Sequence, residues 1–166
     1  MKNKMPVLFV GHGSPMNIID DNSFTRTLYE LGKTLQPKSI LVISAHWVID
    51  KTKVVSVDHP NTIHDFYGFP EELYRIQYPA PGAPQLAQEL APVAESTEEW
   101  GLDHGSWAVL RLMFPEAKIP VTQLSLNRIR TLQQHFELGH ELRRLREQGV
   151  LIIGSGNLVH NLREIV

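Results

Sequence analysis

The sequence predicts an α/β fold of three layers, a mainly parallel sheet with helices on both faces. Three observations lead there. Short apolar runs that read as buried strands recur at Val7–Val10, 39–45, 119–124 and 150–153. Segments with apolar residues at helical spacing lie between them. Strands that alternate with helices and are themselves apolar throughout belong to sheets covered on both sides. At 166 residues and 42% hydrophobic content, the chain suits a single domain over residues 1–166 with a core that needs no covalent staples.

In chain order, Val7–Val10 is short, apolar and partly β-branched, and Gly11 stops it. A helix over 23–35 follows, with Phe24, Leu28, Leu31 and Leu35 at helical spacing and Asp21, Asn22 or Ser23 as its cap; Pro37 ends it. The run "SILVISA" repeats the strand pattern, and 53–57 is a third strand of alternating type. Residues 58–84 are crowded with Pro, Gly, His and five aromatics, which predicts a long ordered loop with one helical turn over 71–76, and loops of that length are usually functional. Helices are expected over 84–94, over 106–114 with Ser106 as cap, and over 131–147, where Leu132, Phe136, Leu142 and Leu145 form an amphipathic face.

Sixteen Lys and Arg against eighteen Asp and Glu, with no basic block, argue against a nucleic-acid partner. No apolar run is long enough for a membrane span, and the first residues lack the apolar core of a signal peptide, so the expected compartment is the cytoplasm. The absence of cysteine excludes disulfides, thiol nucleophiles and thiolate metal sites. Any metal here is held by imidazole, carboxylate or water. Eight histidines thereby become the informative inventory.

Three apolar strands deliver a histidine at or just beyond their carboxyl ends: "LFVGHGSP" gives His12, "LVISAHW" gives His46 and "LIIGSGNLVHN" gives His160. A parallel sheet gathers those ends on one edge, where ligands of open α/β sheets bind. One strand-end histidine is more often a hydrogen-bonded structural residue; three bring a shared ion level with that reading, with small residues around each leaving room for it. His104, in "WGLDHGSW", follows Asp103 before a helix and suits general acid/base work or the closing of a turn. His64 and Phe66, in "TIHDFYGFP", suit a pocket wall for a planar ring or a satellite core. His59, His135 and His140 read as structural or exposed; the last two are five apart, not the four that would pair them on one helical face.

Taken in order, "GHGSPMN", "SAHW", "TIHDFYGFP", "YPAPG", "LDHGSW" and "SGNLVHNL" resemble the class III extradiol ring-cleavage dioxygenases of the 4,5-DOPA dioxygenase type, related to the catalytic subunit of protocatechuate 4,5-dioxygenases, over residues 5–163. The resemblance implies an α/β domain, non-haem Fe(II) with zinc possible in its place, and a small catechol cleaved with incorporation of dioxygen. It makes His12 and His46 metal ligands and His160 either a ligand or an acid/base just outside. His104 then handles protons or positions substrate; His64 and Phe66, from the aromatic loop, remain the expected wall of the substrate pocket. The family's further C-terminal ligand has no counterpart here, so the expectation is a truncated form with weaker metal binding and an exposed flank that favours a homo-oligomer. Two alternatives stand beside it: a chelatase-like metal-handling protein, suggested by "VGHGS", and a catalytically inactive metal-binding fragment.

Overall fold

The computed structural model describes residues 4–157. Six strands, β1 (Val7–Val10), β2 (Ser39–Ile49), β3 (Lys53–Val55), β4 (Glu95–Thr97), β5 (Val121–Asn127) and β6 (Val150–Ser155), form one sheet in the order β1-β6-β2-β5-β3-β4. Every pairing is parallel except β3 with β5. The helices are α1 (Ser23–Lys33), α2 (Glu71–Tyr74), α3 (Pro84–Glu89), α4 (His104–Met113) and α5 (Leu132–Leu142).

Strand alternation builds two cores. Ile40, Val42, Leu151 and Ile153 point to one side, where Leu28 of α1 and Trp107, Val109 and Leu110 of α4 cover them. Leu41, Val150 and Ile152 point to the other, against Leu86 and Ala87 of α3 and Leu138 and Leu142 of α5. The three-layer expectation is therefore met. Among the described residues, no helix is long and apolar enough to cross a membrane.

Several local expectations are corrected. Val7–Val10 is a strand, but among the described residues it is an edge strand paired only with β6 and is only partly buried: Phe9 is 62% exposed, whereas Val10 is buried. β2 continues to Ile49, because β5 goes on pairing with it beyond a register shift between Ile43 and Val48. The helix expected over 84–94 stops at Glu89, and the following residues enter β4, a three-residue strand too short to show a period. α4 starts two residues before Ser106: its cap is Asp103, whose side chain accepts from Ser106 N at 3.2 Å. The 131–147 segment is capped by Thr131, runs as α-helix to Leu142 and then tightens into a 3-10 turn, Arg143–Gln148. Asn22 caps α1 through a reciprocal pair with Thr25, at 3.1 and 3.0 Å.

α1 and α4 cross closely at Gly32, where an added Cβ would lie 2.0 Å from the Met113 carbonyl oxygen and 2.7 Å from its carbon. Helix propensity alone makes Gly→Ala stabilising, but here the obstacle is backbone and cannot rotate away. Gly32→Ala should destabilise the fold by about 1–3 kcal/mol in denaturant unfolding; a stabilised variant would show that the helices are free to separate.

Candidate metal centre

The site grows from the register of three strands. Ser155 pairs with Val10 of β1 on one side and with Ser44 of β2 on the other, so these three residues form the last row of the parallel ladder. His12 and His46 each stand two residues beyond that row. β1 and β2 flank β6, and the two imidazoles converge over its end: His12 Nε2 and His46 Nε2 lie 3.0 Å apart. Gly13, at φ 66°, turns the chain sharply after His12, and Asn17 Nδ2 donates to the His12 carbonyl at 3.2 Å.

His104 arrives from the first turn of α4, beneath which Asp103 is fully buried. Asp103 accepts from Gln123 Nε2, and Gln123 Oε1 accepts from Ser106 Oγ at 2.7 Å. Burial pushes the Asp103 carboxyl up, against hydrogen bonds from Ser44 and Gln123. The carboxylate that orients His104 is not this sequence neighbour but Asp65, from the long 58–84 loop. Asp65 Oδ1 accepts from His104 Nδ1 at 2.9 Å and from the His104 backbone N–H at 2.8 Å, and Asp65 Oδ2 accepts from His46 Nδ1 at 3.1 Å. Burial would raise the Asp65 carboxyl, but the bonds from His104 and His46 outweigh it and hold the group well below the usual carboxylate range.

These partners fix the tautomers. A carboxylate only accepts, so His46 and His104 both carry their proton on Nδ1. Ser155 Oγ gives its proton to the Gly105 carbonyl at 2.5 Å and therefore accepts from His12 Nδ1 at 2.9 Å. In the neutral state all three rings thus leave the lone pair on Nε2. His12, His46 and His104 each bring one nitrogen to within 4.8 Å of the others.

The donor set fits a divalent ion. Two nitrogens bound at roughly 2.0–2.1 Å to one ion, at bond angles of about 90° to 109°, lie about 2.9 to 3.4 Å apart, and the His12–His46 separation is within that range. Imidazoles whose other ring nitrogen is held by a carboxylate or hydroxyl are the usual supported metal ligands.

The other expected residues divide. Phe66 sets its ring edge-on to His104 at 5.4 Å, bordering the cluster. His64 spends Nε2 on the Ile76 carbonyl at 2.9 Å and packs its ring on Trp107 at 5.3 Å, so the structure uses it to brace the loop. His160 lies outside the described residues. His135 donates to the Asn127 carbonyl at 3.0 Å, as a structural residue. Sequence reasoning missed Asp65 and Ser155. Asp65 directly follows His64 in "TIHDF", and Ser155 is the lone hydroxyl closing an apolar strand between two glycines; both signals were present.

Residues 6–165 match the family described as the catalytic LigB subunit of aromatic ring-opening dioxygenase. The chain is 50% identical over 169 residues to a 4,5-DOPA dioxygenase extradiol of Escherichia coli K12, covering 98% of this chain and 62% of the relative. It is 42% identical to a protein of the same name from Beta vulgaris, covering 95% and 63%. A crystal structure of an uncharacterized E. coli K12 protein superposes with a TM-score of 0.79 at 45% identity, over 97% of this chain and 63% of that one. The chain thus spans just over three fifths of the length of the relatives it matches.

The Asp65 carboxylate raises the pKa of His46 above 6.5, chiefly through its hydrogen bond, against the opposing effect of burial. For the metal-free fold, the protonated His46–Asp65 pair stabilises fully below about pH 6.5, and that contribution is lost as pH rises through the raised folded value. Metal binding runs the other way, because an ion must displace that proton. Affinity for Co(II) or Zn(II), followed by titration, should fall about tenfold per pH unit below the His46 pKa; a flat profile would remove His46 from the ligand set.

Proposed function

Because the chain belongs to the family of the catalytic LigB subunit of aromatic ring-opening dioxygenases, we propose that it is a metal-dependent extradiol dioxygenase acting on a catechol-type ring, L-DOPA or a close analogue, with incorporation of dioxygen. The observation that carries this reading is the approach of His12 Nε2 and His46 Nε2 to 3.0 Å, with a hydrogen-bond partner on each Nδ1. The relatives named 4,5-DOPA dioxygenase extradiol supply the substrate class. The family match runs from residue 6 to residue 165, far beyond the "VGHGS" segment on which the chelatase alternative rests.

His12 and His46 would hold the ion, Fe(II) in this reading with zinc able to take its place, and His160, outside the described residues, would serve as a further ligand or as an acid/base. Bound there, Fe(II) supplies Lewis acidity toward the ring hydroxyls, open positions for substrate and dioxygen, and the electron exchange that dioxygen requires. Neutral imidazoles leave the site's positive charge undiminished, which favours loss of the catechol protons.

His104 takes one of those protons at Nε2, since Asp65 keeps the ring's own proton on Nδ1. The imidazolium so formed is stabilised by the same carboxylate, and it returns its proton as the ring opens beside the two hydroxyls to a muconic semialdehyde. Phe66, edge-on to His104, limits where the ring can lie. The three-imidazole cluster also supports a second reading, in which His104 is itself a ligand.

Anaerobic loading with Fe(II), addition of L-DOPA or catechol and admission of oxygen should give a yellow product, lost in His12→Ala. Metal bound without product in the native chain would leave the inactive-fragment alternative. His104→Gln separates the two roles of that residue: retained iron with turnover reduced by about 10²-fold or more marks an acid/base, whereas lost iron marks a ligand. Phe66→Ala should shift preference among substituted catechols more than it changes metal content; an unchanged ranking would remove Phe66 from the pocket.

A further inference from the structure

We propose that Asp65 is a positioning residue that sets the proton pattern of two imidazoles at once, and that its carboxylate is what makes His46 able to ligate. The proposal rests on the metal reading above and adds to it the source of the ligand's competence. Asp65 has two oxygens with unequal duties. Oδ1 is claimed twice by His104, through the backbone N–H at 2.8 Å and Nδ1 at 2.9 Å, while Oδ2 faces His46 Nδ1 at 3.1 Å. Its side chain is 21% exposed, so little water competes for these bonds.

The loop holds this carboxylate from both sides. Preceding it, His64 is pinned to the Ile76 carbonyl at 2.9 Å, and Trp107 Nε1 donates to the Ile63 carbonyl at 2.8 Å. Following it, Phe66 packs on Tyr74 at 5.1 Å and edge-on to His104 at 5.4 Å. The aromatic cluster therefore aims Asp65 as well as bordering the site. A carboxylate fixed by neighbours of this kind pre-sets its imidazole partners before any ion arrives.

The unequal duties give a test that separates positioning from general structural support. In Asp65→Asn the single amide oxygen is required at the Oδ1 place, where two N–H groups of His104 converge, so the NH₂ falls opposite His46 Nδ1. A donor there forces Nδ1 to accept, and the His46 proton moves to Nε2, pointing at His12 Nε2. His46 ceases to be a ligand although its own side chain is unaltered. His104 keeps its pattern. A mere loss of packing would not switch one ring and spare the other.

The measurement is long-range ¹H–¹⁵N correlation of the histidine rings in the full chain, at alkaline pH where imidazole is neutral, with Co(II) titration alongside. The native chain should show Nδ1–H for both His46 and His104. Asp65→Asn should show Nε2–H for His46 with His104 unchanged, and a Co(II) affinity lower by about 10- to 100-fold. Asp65→Glu, which restores a carboxylate, should return His46 to Nδ1–H and recover part of that affinity. Nε2–H on His46 in the native chain overturns the proposal, as does an unchanged His46 in Asp65→Asn. Should the asparagine variant fail to fold, the native spectrum and Asp65→Glu decide it. If the tautomers behave as stated but the native chain takes up no Co(II), the metal reading falls and the role of Asp65 stands.

Discussion

Two neutral imidazole nitrogens, each presenting a lone pair, repel one another at 3.0 Å unless something positive lies between them. That pairing of His12 with His46 is the constraint around which the molecule is organised. Keeping both lone pairs directed inward requires an acceptor behind each ring, and the two acceptors come from different places: a hydroxyl from the middle strand and a carboxylate from a loop. Neither is near its histidine in sequence. The fold is what brings them there, through a shared last row of β1, β6 and β2 and a long loop laid back over the sheet edge.

The same constraint sets how closely α4 approaches the sheet. Gly105 lies so near β2 that an added Cβ would be 2.5 Å from Ser44 Oγ and 3.0 Å from His46 Cδ2. Its carbonyl takes the Ser155 proton, which obliges Ser155 to accept from His12. A backbone carbonyl of the helix thereby bears on which nitrogen of a histidine on another strand carries the proton. Asp103 and Gln123, both fully buried, hold the helix start against β5 and keep this approach from loosening. Buried polar networks are costly unless fully paired, and this one is paired at each of those contacts.

Much of this was legible in the sequence because it follows from periodicity and strand ends. Alternating apolar strands and helices indicate the layers, and the strand-end pattern indicates His12 and His46, whereas His104 is read apart from it, from "WGLDHGSW", as an acid/base. What escaped had no local signature. β4 is three residues long and exists because β3 lies beside it. The edge position of β1 cannot be read from four apolar residues, since a central strand looks the same. The α4 cap went to Ser106 because a hydroxyl before an apolar run is a good signal, but Asp103, also a good cap, had tertiary partners that decided the matter. The role of Asp65 and Ser155 carries no periodic signal of its own; it follows from the second nitrogen of each imidazole, whose partner only the fold supplies.

The edge position of β1 gives the centre a mechanical side. Among the described residues β1 is held by one neighbour only, and Val7 and Phe9 are 53% and 62% exposed, so like β4 at the other edge it is a natural place for opening to begin. His12 follows two residues after it and reaches over β6 to a residue of β2, which is sealed on both sides. An ion shared by the two rings would act as a rivet between an edge strand and an inner one. Fraying of the sheet edge and release of the ion would then be a single event, and amide exchange along β1 would slow in proportion to how tightly the ion is bound.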